Sequence, residues 1–195
     1  SVGAVTASCR NTPSCWTRRA NRRGMLVAET PRLRLRWLIA DDAAFILELL
    51  NDPDWIANIG DKGLRDLDGA RQYIETGPQA MYAARGFGLN LVELHDRTPV
   101  GLCGLLRREN LPDVDVGYAF MPSHRGKGYA REAVTAILAD AQRSFGLARV
   151  IAITKPHNVR SAKLLIDMGF VSEGTIPFVE GAPEASLFGI ALPRK

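Results

Sequence analysis

Cysteine is scarce in this chain of 195 residues, with three in all: Cys9, Cys15 and Cys103. An odd, sparse set excludes a disulfide-stapled scaffold and suits a reducing compartment. Histidine is equally scarce at three, and no spacing of His, Cys and Asp resembles a metal centre. No apolar run approaches the roughly 18 residues that cross a bilayer, and the first residues lack the apolar stretch of a secretory signal. A soluble, cytoplasmic protein with no membrane partner is therefore expected. Acidic residues are missing from residues 1–24, which contain five arginines. That segment carries +5 of a formal net charge of +4, so the remainder stands at −1. The basic balance thus gives no ground for a nucleic-acid partner of the folded part.

What is present fits one domain, since 46% hydrophobic content over this length fills one substantial core. It is placed at 25–195, after a basic extension at 1–24 that is expected to be disordered. The extension superficially resembles a transit peptide, and reads also as a nucleic-acid tail or as sequence upstream of a start at Met25. Cys103, inside the apolar run 100–106, is expected to act as a small core residue.

Periodicity supplies the elements. Leu33, Leu35 and Trp37 alternate with arginines, the period of a strand with one buried face. Asp41 and Asp42 precede a short helix at 43–50 that is expected to stop at 51–53. A second helix is predicted from Asp66 to about Thr76, ended by Gly77-Pro78. Strands at 87–94 and 100–106 form a hairpin by length and turn chemistry, and a third strand at 114–120 leads to Met121-Pro122. Ala130, Ala133, Val134, Ile137, Leu138 and Ala141 make one helical stripe. A strand at 150–154, a helix at about 158–168 closed by Gly169, and terminal strands at 170–171 and 187–192 complete the chain. This order predicts an α/β (α+β) fold: a mixed, mostly antiparallel sheet with helices on both faces.

Chemistry concentrates at Arg125-Gly126-Lys127-Gly128-Tyr129-Ala130, between a strand and that amphipathic helix. A helix start offers unpaired N–H groups and the positive end of its dipole, and glycines let phosphate oxygens approach the backbone. Arg125 and Lys127 would add side-chain charge. A Walker loop does not fit, because four residues do not separate the glycines and no Lys-Ser/Thr follows. A dinucleotide fingerprint would need a glycine where Arg131 stands. Further on, Asn158 is placed to cap a helix, with Ser161 in its first turn and Met168-Gly169-Phe170 at its close.

With Arg125, Gly128 and Ala130 matching Arg/Gln-x-x-Gly-x-Gly/Ala, and Asn158 and Gly169-Phe170 following in order, the sequence resembles the GNAT superfamily of N-acetyltransferases. The similarity runs from Thr30-Pro31-Arg32-Leu33 to the C-terminus. Residues 30–38, Val116-Gly117-Tyr118 and Asn158-x-x-Ser161 are closest to the branch that acetylates ribosomal-protein N-termini. The resemblance implies acetyl-CoA as co-substrate and a V-shaped split between the strands ending at Met121 and Thr154. Backbone groups of Phe120 and Met121 would pair with pantetheine there and polarise the thioester. It implies Asp115 as the base, directly or through water. Where many members carry a tyrosine acid, seven residues after the motif asparagine, this chain has Leu165, leaving Ser161 as the nearest candidate. Asp54, Asp61, Asp66 and Asp68 would draw a cationic acceptor. Direct acetyl transfer to a primary amine is expected, on a protein N-terminus or a small amine such as an aminoglycoside, by a monomer or homodimer. A non-catalytic acyl-CoA sensor and a nucleic-acid binder using the arginine arm remain the alternatives.

Overall fold

The computed structural model describes residues 24–177 and 184–193. The extension predicted at 1–24 lies outside them apart from Gly24, as do Cys9 and Cys15. Eight strands form one sheet in the order β1-β2-β3-β4-β5-β6-β8-β7. They are β1 (Leu26–Glu29), β2 (Leu33–Trp37), β3 (Leu89–Leu94), β4 (Pro99–Leu106), β5 (Asp115–Phe120), β6 (Arg149–Thr154), β7 (Val171–Ile176) and β8 (Ala185–Ala191). Neighbours run antiparallel except β5 and β6, which are parallel. Parallel neighbours need a crossover, and helix α5 (Tyr129–Phe145) supplies it.

Alternation along the strands divides the core. Val92 and Cys103 pack with Ala133, Val134 and Ile137 of α5 and with Leu165 of α6 (Val159–Asp167) on one face. Leu91 and Leu102, one residue away on the same strands, pack on the other with α1 (Ala43–Leu50), α2 (Pro53–Asn58) and α3 (Leu67–Ile74). Helices thus cover both faces, as the sequence predicts. The stripe on α5 is buried as expected from Ala133 to Ala141, and Gly146, with φ of 63°, ends the helix. Cys103 is a buried core residue whose thiol burial pushes upward in pKa.

Three elements differ from expectation. The helix at 43–50 stops at Asn51 as expected, but the same segment also starts an unpredicted one: Asp52 Oδ1 accepts from the N–H groups of Asp54 and Trp55, and Pro53 opens α2, where its missing N–H costs nothing. Gly77-Pro78 does not end the second helix. A wide π turn over Glu75–Gln79 carries the chain through buried Pro78 into α4 (Ala80–Arg85), and such a turn tolerates a residue that cannot donate. Strand β1 lies where no strand is predicted; four residues with an exposed Leu26 show no alternation, and its pairing with β2 defines it.

Candidate functional site

Strands β5 and β6 share one register pair, Asp115 with Ile151, where the Ile151 N–H donates to Val114 O at 3.0 Å. Beyond it they part toward Phe120 and Thr154, the split expected from the sequence. Sheet geometry decides which groups face the gap. The Met121 N–H donates to Val100 O at 3.0 Å, so odd-numbered residues of this stretch serve the ladder with β4 and the main-chain groups of Tyr118 and Phe120 turn toward β6. Met121 O accepts from the His124 N–H, so both Met121 main-chain groups are engaged. Phe120 O accepts from Arg125 Nε at 2.8 Å, which leaves the Phe120 N–H at the gap.

A cleft of about 680 Å³ runs through this opening. Of the sequence-predicted site residues, Asp115, Phe120, Arg125, Gly126, Gly128, Tyr129, Ala130, Asn158 and Ser161 line it, and Met121 and Lys127 do not. Trp55 Nε1, Asp115 Oδ1, His124 Nδ1 and Thr154 Oγ1 are buried without a partner among the described residues, and all four residues line the cleft. Such clustering of orphaned polar atoms marks a place built to receive polar groups.

At one end lies the glycine turn. Gly126 and Gly128 have φ of 74° and 80°, a region that L side chains avoid, and no side chain caps the start of α5. Its first N–H groups are therefore open to the cleft. The side-chain charge expected here points elsewhere. Arg125 pairs through Nη2 with Asp52 at 2.7 Å and through Nη1 with Asp54. Lys127 contributes its carbonyl, which accepts from Arg32 Nη1 at 2.8 Å. Arg32 also pairs with Glu132 and lies 4.9 Å from the centre of the Tyr129 ring, bracing the turn. This brace was hidden in a strand pattern that marked Arg32 only as a solvent-side position.

At the closed end of the split sits Asp115, 1% exposed, with Arg108 Nη1 3.5 Å from its Oδ2. Burial pushes its carboxyl up to about 6, against the opposing pull of Arg108. Across the sheet, Asn158 Oδ1 accepts the Ser161 N–H at 3.1 Å and caps α6 as expected. Ser161 Oγ lies 2.7 Å from Tyr118 Oη, and Leu165, where a tyrosine acid would stand, is fully buried. His95 belongs to the β3–β4 hairpin and bonds to Thr30 O, and neither it nor His157 lines the cleft.

The acidic wall expected for a cationic acceptor is not assembled. Asp61 pairs with Arg65, Asp68 with Arg71, and Asp66 caps α3 through the Gly69 N–H. Asp54 alone of the four lines the cleft, and it is paired with Arg125. Helix chemistry claims Asp66 and Asp68, a loop ion pair claims Asp61, and the distant Arg125 claims Asp54.

Among the described residues, no helix is long and apolar enough to cross a membrane, and no cluster of His, Cys, Asp and Glu could hold a metal ion.

A family model described as an acetyltransferase (GNAT) domain matches residues 32–171. The uncharacterized protein YkkB of Bacillus subtilis (strain 168) is 31% identical over 155 residues, 75% of this chain and 86% of its own. The ribosomal protein uS5-alanine N-acetyltransferase of Escherichia coli (strain K12) is 41% identical over 59 residues, 30% of each chain. Among solved structures, a GnaT-family acetyltransferase from Bordetella pertussis superposes with a TM-score of 0.69 at 27% identity, covering 84% of this chain and 98% of that one. With its split sheet, its glycine turn at the start of α5 and a family match over most of its length, the chain belongs to the GNAT acetyltransferases.

Proposed function

We propose that this chain transfers acetyl from acetyl-CoA directly to a primary amine, and that transfer takes place where β5 and β6 part. That parting, beside an uncapped glycine turn, is the observation that carries the reading. The residues fit the coenzyme: the N–H groups at 126–130 suit a pyrophosphate, and the inward N–H groups of Tyr118 and Phe120 suit the amides and thioester of the pantetheine arm. Met121, its N–H given to Val100 and its carbonyl to His124, has no main-chain group left to pair with this arm.

Asp115 accepts the proton of the incoming ammonium, directly or through water, and the free amine attacks the thioester carbon. The C–N bond forms and the C–S bond breaks. The electron pair passes to sulfur, where the Ser161 hydroxyl steadies the thiolate, and the second proton, lost from the attacking nitrogen as the amide forms, reaches that sulfur through water. The two substrates approach from different faces, because alternation along β5 puts Asp115 on the face covered by α1–α3 and Tyr118, the partner of Ser161, on the face covered by α5 and α6.

A protein N-terminus is the favoured acceptor, supported by the likeness to an enzyme whose name gives an alanine of ribosomal protein uS5 as its target. A small amine with a single cationic group is the second reading, since no free acidic wall stands among the described residues to draw a polycation such as spermine or an aminoglycoside. Thiol release from acetyl-CoA over Ala- and Ser-initiated peptides, spermine and an aminoglycoside distinguishes them. Tight acetyl-CoA binding with no release on any amine would instead favour a non-catalytic sensor.

A further inference from the structure

We propose that Tyr118 is a positioning residue: it donates its hydroxyl proton to Ser161 Oγ and so turns the Ser161 O–H into the cleft, toward the coenzyme sulfur. The assignment rests on the acetyl-transfer reading above. Its basis is a contact between elements 43 residues apart, Tyr118 Oη to Ser161 Oγ at 2.7 Å. Each hydroxyl has one proton to give, so the direction of donation decides which of the two is left to point elsewhere.

Three observations fix that direction. Were Ser161 the donor, the Tyr118 proton would have to find another acceptor, and the one it approaches, Ser161 O, lies 3.5 Å away, too far for a strong bond. A phenol is also a better donor and a poorer acceptor than an aliphatic alcohol. Burial pushes the Tyr118 phenol up to about 12, so it keeps its proton throughout the neutral range. The same property makes it unsuited to give that proton away to a thiolate, and it acts as a fixed donor only.

Position completes the case. The Ser161 main chain is held by Asn158 Oδ1, so the Tyr118 bond sets the remaining freedom of the side chain, rotation of the hydroxyl. Leu165, buried and without a hydroxyl, offers no substitute on the next turn of α6. Strand β5 thus carries both the base and the support of the leaving group, Asp115 on one face and Tyr118 on the other, three residues apart.

The test uses the full chain and CoA alone, with no acceptor. The thiol of bound CoA is titrated by the ultraviolet absorbance of its thiolate, in wild type, Tyr118→Phe, Ser161→Ala and the double variant. An oriented hydroxyl stabilises the thiolate, so Tyr118→Phe should raise the thiol pKa by about half to one pH unit, the equivalent of one hydrogen bond. Ser161→Ala should raise it by at least as much, and the double variant should match Ser161→Ala, because Tyr118 acts only through Ser161. CoA affinity below the thiol pKa should stay within twofold, and the melting temperature of Tyr118→Phe reports its folding. A thiol pKa unmoved by Tyr118→Phe, or shifts that add in the double variant, overturns the role given to Tyr118. Failure of wild type to bind CoA would instead overturn the acetyl-transfer reading itself.

Discussion

Arg125 Nη2 lies 2.7 Å from Asp52 Oδ1, the oxygen that also receives the N–H groups opening α2. One guanidinium therefore ties the glycine turn to the helix that brings Trp55 and Asn58 to the cleft. Arg125→Ala should cost about 1.5 to 3 kcal/mol of stability, the range for hydrogen bonds to charged groups. It should also raise KM for both substrates. Arg125→Lys should recover little, since an ammonium cannot span Asp52, Asp54 and Phe120 O together. Thermal denaturation and steady-state kinetics check this, and an unchanged KM for both substrates would show the link to be without consequence for binding.

Gly128→Val should remove the rise in melting temperature that acetyl-CoA confers. At φ of 80° a β-branched residue is strained, and its Cβ would stand 3.3 Å from Arg32 Nη2, loosening the brace on the turn. Saturating ligand at 100 times Kd is worth about 2.7 kcal/mol to the folded state. Retention of that gain by a folded Gly128→Val chain would place the pyrophosphate elsewhere.

The pH dependence turns on Asp115. In the proposed role of base it would work ionised, so kcat/KM should rise through about pH 6 and level off above. Asp115→Asn should remove this limb and depress turnover most between pH 6 and the pKa of the amine. Stability should move oppositely. The folded chain holds this proton more tightly than the unfolded one, whose carboxyl titrates near 3.8. The contribution of the neutral acid is complete below that value and is lost as pH rises through about 6. Above pH 6 Asp115→Asn should therefore stabilise the chain, on the order of 2 to 3 kcal/mol for a shift of about two units. A variant that is slower and no more stable at pH 8 would contradict the burial argument.

Ser161→Ala should lower turnover by about 100-fold or less, the low end for general acid catalysis, with acetyl-CoA affinity near normal. Rapid-quench measurement of the chemical step is the check, and a change within twofold would reduce Ser161 to part of the helix cap.

Deletion of residues 1–23 should leave melting temperature and turnover within error and within twofold of the full chain. Pairing begins where Trp37 N–H donates to Met25 O, and the first strand follows at Leu26. Loss of folding on deletion would move the domain boundary N-terminal to Met25.

Elements whose own period declares them were legible in the sequence: α5 by its stripe, the β3–β4 hairpin by its turn, β5 by strict alternation. Those defined by context were not. Pro53 and Pro78 read as terminators, yet one opens a helix capped by Asp52 and the other rides through a wide turn, because proline is excluded only where its N–H is needed. At the site, backbone chemistry was legible and side-chain direction was not. The glycines of the turn announce their φ values, whereas the partners of Arg125 stand 71 and 73 residues away. Likewise Leu165 revealed that a hydroxyl was missing from α6, but nothing local to Tyr118 revealed that β5 would bring one to Ser161.

Since a single register pair joins β5 to β6, the eight strands are two smaller sheets sutured at one point, β1 through β5 and β6 through β7. Each keeps an inner edge whose amides have no strand to bond, the exposure that proteins elsewhere bury or blunt. On the proposed reading, a coenzyme arm laid along that seam would be a ninth strand supplied from outside. Amide hydrogens of Tyr118 and Phe120 would then exchange slowly only while it is in place, and the rigidity of the whole sheet would follow the supply of coenzyme.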